Sequence, residues 1–197
     1  MSYNTELQSN NAELQEILDA INALPEEGES GGSSGGGSET LKNICRGYGI
    51  NITKEDIDGV ETIESSAFLG FPAFNIDLPS SVKAISDFAF AYSELMNITL
   101  PEGLLTIGDF TFEECNFLFD GISIPSTVTS IGQKALYFGD GGIFITMKPT
   151  TPPVIGSNVF KESALFRIVV PIGSGNAYKT ATNWSAFADY IYEGTIL

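Results

Sequence analysis

A repeat of 22 to 24 residues runs through the middle of this 197-residue chain and restricts the folds open to it. Three copies read IDLPSSVKAISDFAF from residue 76, ITLPEGLLTIGDFTF from residue 98 and ISIPSTVTSIGQKAL from residue 122. Each copy has Ile-x-apolar-Pro, an Ile six residues after the proline, and an aromatic residue or Leu eleven residues after it. Self-similarity at a fixed period predicts a solenoid of stacked units.

Two columns of apolar residues show how many units stay in phase. One column consists of Ile63, Ile85, Ile107, Ile131 and Ile155. The other consists of Phe68, Phe90, Phe112, Leu136 and Phe160. Both advance in steps of 22, 22, 24 and 24 residues, so the sequence predicts five turns over about a hundred residues.

The pattern of one unit predicts its local structure. The alternation in Ile-x-Leu/Ile favours a short strand with two inward side chains, and the following proline ends the strand by removing a ladder donor. A second extended piece would place the residues three and six after the proline inside. The segments SDFAF, GDFTF and GQKAL are expected to form one helical turn each. Such a unit cannot bury its apolar face alone, which predicts side-by-side stacking with a parallel sheet along one face.

The pattern closely resembles the BspA-type leucine-rich repeat, with its Cys matched in Phe112-Glu-Glu-Cys115-Asn-Phe-Leu118. The resemblance covers about residues 52–191 and implies an α/β-type leucine-rich repeat solenoid of short parallel strands. Residues 41–60 are expected to cap one end and residues 171–197 the other, with a helix and a Trp closing the stack. Such repeats are general binding scaffolds, so the resemblance implies a fold more than a particular function.

The N-terminal arm shows a different pattern. Residues 1–25 carry an apolar stripe at helical spacing that stops at Pro25, and a Gly/Ser-rich linker over residues 26–40 separates them from the domain at 41–197. The stripe consists of Leu7, Leu14, Ile17, Leu18, Ile21 and Leu24. It predicts assembly through this helix, as a homo-oligomer with a trimer favoured or with another protein. Folding back onto the solenoid, and an engineered origin of the linker, stay open.

The opening residues are similar to the N-termini of tail-associated structural proteins from phages and prophages of gut Firmicutes. This resemblance implies a virion protein, made in the bacterial cytoplasm, that binds other virion proteins and a protein or cell-surface glycan receptor. The alternative is a bacterial adhesin or protein-interaction module at the cell surface. The N-terminus has no basic and apolar leader typical of export, which favours the virion interpretation.

Composition argues against several other functions. A formal net charge of −16 disfavours nucleic acid and anionic membranes, and no apolar run is long enough to predict membrane insertion. The chain has no His, which removes Ser-His-Asp triads and His-based metal sites, so we expect neither an enzyme nor a cofactor. In GSGNAYKT, Tyr178 replaces the Gly that a phosphate loop needs. Asp120-Gly121 and Asp140-Gly141-Gly142 are interpreted as turns rather than calcium sites, and Cys45 and Cys115 as unreactive thiols.

The remaining candidate sites are surfaces. Outward positions of the first strands would form a small polar row, and the longer turns after Phe112 and Leu136 would expose aromatic side chains. The candidates for ligand or partner binding are Asp77, Thr99, Ser123, Thr146, Phe117, Phe119, Tyr137, Phe138 and Phe144. Val169 extends the row. A bland surface, with half of the aromatic residues filling the core, is the alternative.

Overall fold

The computed structural model describes residues 57–71, 75–95, 97–115, 121–138, 143–160 and 165–195. They form a solenoid of about five turns, and each turn is called a rung here. The strands are β1 (Thr62–Ile63), β2 (Asn75–Asp77), β3 (Ala84–Ile85), β4 (Asn97–Thr99), β5 (Thr106–Ile107), β6 (Ile122–Ile124), β7 (Ser130–Ile131), β8 (Ile143–Met147), β9 (Val154–Ile155), β10 (Leu165–Pro171) and β11 (Ile191–Gly194). A helix α1 (Gly175–Thr180) and a 3₁₀ helix (Trp184–Tyr190) lie between β10 and β11.

Parallel strands line two sides of the solenoid, whereas the sequence predicted a sheet along one. The Ile-x-apolar segments give a two-stranded sheet β2–β4 and a four-stranded sheet in the order β6–β8–β10–β11, with β4 beside β6. The second extended pieces pair as well, in the order β1–β3–β5–β7–β9. In that sheet Ile63 is in register with Ile85, and Ile107 with Ile131, so the repeat phase becomes strand register.

The third side consists of tight turns rather than the single helical turns that the sequence predicts. The residue three positions after each column Ile has a left-handed backbone, with φ between 50° and 58°. These residues are Ser66, Phe88, Phe110, Lys134 and Asn158. Alternate amides then donate within the rung and to the next rung: Ala67 N to Glu64 O at 3.2 Å, and Phe68 N to Ala89 O at 2.7 Å. The left-handed residue turns every second amide along the solenoid axis, which a regular helix cannot do.

The core is a continuous stack of the two columns. Phe68, Phe90 and Phe112 are buried, and their rings stack at centroid distances of 4.9 and 5.3 Å with interplanar angles of 11° and 9°. All five Ile residues of the other column are buried too. Each rung therefore presents its largest apolar groups to its neighbours, as nearest-neighbour stabilisation of a solenoid requires.

Glycine follows the column Ile in three rungs, as Gly108, Gly132 and Gly156, and each lies close to the backbone of the preceding rung. A Cβ built on Gly108 would lie 2.7 Å from the Asp87 amide nitrogen, so a larger side chain would push the rungs apart. The same approach lets carboxylates tie the rungs together. Asp87 Oδ1 accepts a hydrogen bond from the Asp109 amide, and Asp109 Oδ1 accepts one from the Gln133 amide, each at 2.7 Å.

The C-terminal elements close the last rung with side-chain donors. Trp184 Nε1 donates to Pro153 O at 2.8 Å, Tyr178 Oη donates to Pro149 O at 2.8 Å, and Asn183 Nδ2 donates to Ile155 O at 2.7 Å. Trp184 is fully buried, 5.7 Å from the Phe160 ring centroid. Carbonyl groups that another rung would have bonded are thus satisfied by the cap, which also explains why Tyr178 stands in the stretch that resembles a phosphate loop.

Candidate functional site

One surface carries five of the nine side chains that the sequence proposes for ligand or partner binding. We define the strand face as the outward residues of the two sheets formed by β2, β4, β6, β8, β10 and β11. Its main row places Asp77 opposite Thr99, Ser123 opposite Thr146, Thr146 opposite Val169, and Val169 opposite Tyr192. The structure therefore places these side chains outward, in the row that period-two alternation predicts, and binding by the row stays a prediction.

The structure brings Phe144 onto the same face. Phe144 lies on β8, two residues before Thr146, and is in register with Arg167 of β10. Its side chain is 41% exposed and that of Tyr192 is 48% exposed. The sequence placed Phe144 on a loop, apart from the strand row, so this juxtaposition is a result of the fold.

Arg167 and Tyr192 complete the site at its C-terminal end, and sequence reasoning missed both. The Arg167 guanidinium carbon lies 4.8 Å from the centroid of the Tyr192 ring, within the range of a cation–π contact. Arg167 could have been found from its alternation with the buried Ile168 and Val170. No repeat signal marks IYEG as a strand, so Tyr192 could not.

The other predicted aromatic candidates have different outcomes. Phe138 is buried, which makes the expectation of an exposed loop residue wrong. Leu136 takes the place of the phenylalanine found in most rungs, and Phe138 packs beside it, 6.3 Å from the ring centroid of Phe112. Tyr137 is half-buried, with Lys134 Nζ 5.0 Å from its ring centroid. Phe117 and Phe119 lie outside the described residues, as do Asp120 and Asp140.

A shallow groove of about 590 Å³ follows the outer side of the five-stranded sheet. Small residues line its floor, among them Ala84, Thr106 and Ser130, and Asp87 and Asp109 stand along one wall. One oxygen of each of these two carboxylates already accepts an amide hydrogen bond from the next rung. These two carboxylates therefore help to hold adjacent rungs together.

A polar network stabilises the turn side. Lys134 Nζ forms an ion pair with Glu113 Oε1 at 3.1 Å, and Tyr92 Oη donates to Glu113 Oε2 at 3.5 Å. Burial and the nearby carboxylate of Glu113 raise the pKa of Tyr92. These groups come from three successive rungs, and their mutual pairing indicates a structural role.

The one cysteine within the described ranges is buried in the turn stack. Cys115 Sγ donates to Phe90 O at 2.8 Å and lies 3.4 Å from Ser93 Oγ, and burial raises the pKa of its thiol to about 12. The predicted burial of Cys115 is thereby confirmed, and a neutral buried thiol is a poor nucleophile. Cys45 lies outside the described residues.

We expect Cys115 to resist alkylation in the folded protein. In a Cys45→Ser background, iodoacetamide at pH 8 should leave Cys115 unmodified for hours, because roughly one thiol in ten thousand is ionised four units below its pKa. The same sample in 8 M urea should be fully alkylated within minutes, as read by intact mass. Rapid modification without denaturant would contradict the burial.

Two kinds of feature are absent from the part of the chain that the structure describes. No group of three or more His, Cys, Asp or Glu side chains among them is arranged to hold a metal ion. None of their helices is both long and apolar enough to cross a membrane. The six apolar residues of the arm, Leu7, Leu14, Ile17, Leu18, Ile21 and Leu24, lie outside the described ranges, and assembly through them stays a prediction.

Comparison with known protein families identifies the repeat. A family model described as a BspA type leucine rich repeat region matches residues 61–184, in six copies. The match spans every rung described above and ends within the 3₁₀ helix of the cap. No curated protein matches the chain.

Proposed function

The chain belongs to the BspA-type leucine-rich repeat family, and from that premise we propose that it is a non-enzymatic binding module whose strand face holds a protein partner. Leucine-rich repeats of this kind suggest a protein-interaction or adhesin module. The finer assignment, to a partner protein on one particular face, is ours. The proposed binding face includes the row of small polar residues that the sequence predicts. It also includes the aromatic and cationic residues at the end of that row.

The observation that supports this face is the change in its side chains, from small polar residues along the row to aromatic and cationic residues at one end. Short side chains, Thr99, Ser123 and Thr146, make a flat strip that brings a partner close to the sheet. The strip ends at Phe144, Arg167 and Tyr192, the kinds of residue that dominate binding energy at protein interfaces. A flat strip with an aromatic and Arg cluster at one end suits a protein surface.

A steric block on this face tests the proposal. The full chain, labelled with a fluorophore, is applied to an array of bacterial-surface proteins, host extracellular-matrix proteins and glycans, beside the variant Thr146→Arg. We expect at least one protein spot to bind the natural chain and to lose at least tenfold in affinity with the variant. Thr146 is outward and partly exposed, so a long side chain there leaves the core intact.

The matched control is Thr106→Arg, an outward threonine on the five-stranded sheet. It should keep full binding. Equal loss with both variants would point to charge or folding rather than to a face, and loss with Thr106→Arg alone would move the site to the groove. Binding only to glycan spots would contradict a protein partner.

For location, we propose a virion in which residues 1–25 anchor the chain to itself or to a tail protein. This rests on the sequence resemblance of the arm and on its apolar stripe. Mass spectrometry of purified virions against washed cells tests it, since a surface adhesin would be found with the cells. Light scattering tests self-assembly: a full-length chain that is monomeric, and unchanged by deletion of residues 1–27, would contradict the predicted oligomer.

A further inference from the structure

Arg167 is an unusual residue for its surroundings. The chain carries 25 acidic against 9 basic residues, and the outward side chains described on β6, β8, β10 and β11 are Ser123, Phe144, Thr146, Arg167, Val169 and Tyr192. Two charged residues are described as exposed on these strands, Arg167 of β10 and Glu193 of β11, and Arg167 is the one in this set. The neighbouring Glu193 accepts hydrogen bonds from the amides of Gly173 and Gly175, the second at 2.8 Å, and these bonds lower its pKa. It is therefore committed to the cap.

The described residues give Arg167 an aromatic contact and no carboxylate. Its guanidinium lies against the Tyr192 ring, and the ion pairs found elsewhere in the described ranges join Lys134 to Glu113 and Lys148 to Glu102. A guanidinium held against a ring still presents the N–H donors at its edge. These donors match the two oxygens of a carboxylate. The Tyr192 ring already restricts the rotamers of Arg167, so less side-chain entropy is lost when a ligand binds.

The surroundings favour an acid on a peptide over an acidic sugar. A sugar usually stacks on an open aromatic face, and Arg167 already covers one face of Tyr192. On the other side of Arg167, Phe144 is 41% exposed and in register with it across the strands. An acidic side chain beside an apolar one can use both contacts, and peptides supply that pair in one or two residues.

We propose that the C-terminal end of the strand face recognises a peptide segment carrying Asp or Glu next to an apolar residue. The carboxylate takes the free edge of the Arg167 guanidinium, and the apolar side chain packs on Phe144. This rests on the proposed function, because it specifies what the partner presents to the strand face. The net charge of −16 repels acidic ligands at a distance, so any preference for acid has to come from local contact.

The test uses a library of random twelve-residue peptides displayed on a carrier and selected on the full chain. Peptides that also bind Thr146→Gln, in which a longer uncharged side chain obstructs the face, are removed, which leaves those specific to the strand face. We expect Asp and Glu to be enriched in the survivors, beside an apolar residue. A selected peptide should bind at least tenfold more weakly to Arg167→Gln, and its twin with Gln for Glu at least tenfold more weakly to the natural chain.

Two variants separate recognition from support of the β10–β11 pair. Arg167→Lys keeps the positive charge but loses the paired N–H donors of the guanidinium. It should therefore recover only part of the affinity that Arg167→Gln loses. Phe144→Ala should weaken the acidic peptide and its Gln twin by the same factor, because it removes the apolar contact alone. Unchanged thermal melting of all three variants would show that the domain stays folded.

The outcomes are distinguishable from failure of the proposed function. Face-specific peptides without acid enrichment, or equal affinity for both twins, would overturn this inference and leave the binding face standing. A selection with no face-specific peptide would overturn both. Binding of polygalacturonate, used as an acidic glycan probe, with Arg167 required and no peptide selected, would overturn the peptide assignment.

Discussion

Replacement of Phe90 by Ala is expected to lower the free energy of unfolding by about 3–5 kcal/mol, the range for deleting a buried phenyl ring. Phe90 is fully buried and stacks between Phe68 and Phe112, so its loss opens a cavity shared by three rungs. Rungs are stabilised mainly by their neighbours, and a cavity at this position should uncouple the first rung from the rest. Urea unfolding followed by far-ultraviolet circular dichroism measures the effect.

The same substitution two residues earlier is the control. Phe88 is 38% exposed and stacks on Phe110 at a centroid distance of 4.8 Å. Phe88→Ala should cost about 1 kcal/mol, the value of an aromatic pair with little burial. Similar losses for the two variants would contradict the assignment of Phe90 to the core and Phe88 to the surface.

Replacement of Trp184 by Ala should be as costly, but its effect should be local. Removal of a fully buried indole costs about 3–5 kcal/mol, and the Pro153 carbonyl loses its donor. Hydrogen exchange should therefore speed up in β9 and in the cap while the amides of β3 and β5 keep their protection. A uniform increase along the solenoid would show that the cap is not a separate unit of stability.

Trp184→Phe separates the apolar contact of Trp184 from its hydrogen bond, and Ile172→Ala is the exposed control. Trp184→Phe keeps most of the apolar contact with Phe160 but removes the donor, so it should lose about 1–3 kcal/mol, the cost of an unsatisfied buried carbonyl. Ile172→Ala, at a side chain that is 74% exposed, should change stability by less than about 0.5 kcal/mol.

The solenoid was predictable because the repeat period and the alternation of apolar and polar residues both indicate stacked units. The column Ile residues and the prolines after the first strands fix the phase of each rung, and five phased copies leave few folds other than a solenoid. The left-handed residues were not predictable. Phe88, Phe110 and Lys134 carry no sequence sign of positive φ, which Gly and Asn ordinarily indicate. The energy that holds them there comes from hydrogen bonds to neighbouring rungs, which no local pattern contains.

The candidate site was predictable in part for the same reason. Alternation within a strand assigns Thr99 and Ser123 to the outside without knowledge of their neighbours. The aromatic end depends on pairing between strands far apart in sequence: Phe144 meets Arg167 only through the register of β8 with β10, and Arg167 meets Tyr192 through β11. Phe138 was misplaced because the repeat pattern marks Leu136 as the inward residue of this rung and gives no signal for the residue two positions later.

The direction of the hydrogen bonds between rungs has a mechanical consequence. They run along the axis of the solenoid, from β1 at one end to β11 at the other. A tensile load between these ends would break them one rung at a time, as in opening a zipper, instead of shearing them together. Peeling of this kind yields at low force over a long extension. A domain stabilised by contacts between neighbouring rungs should therefore extend under tension rung by rung rather than fail as one unit.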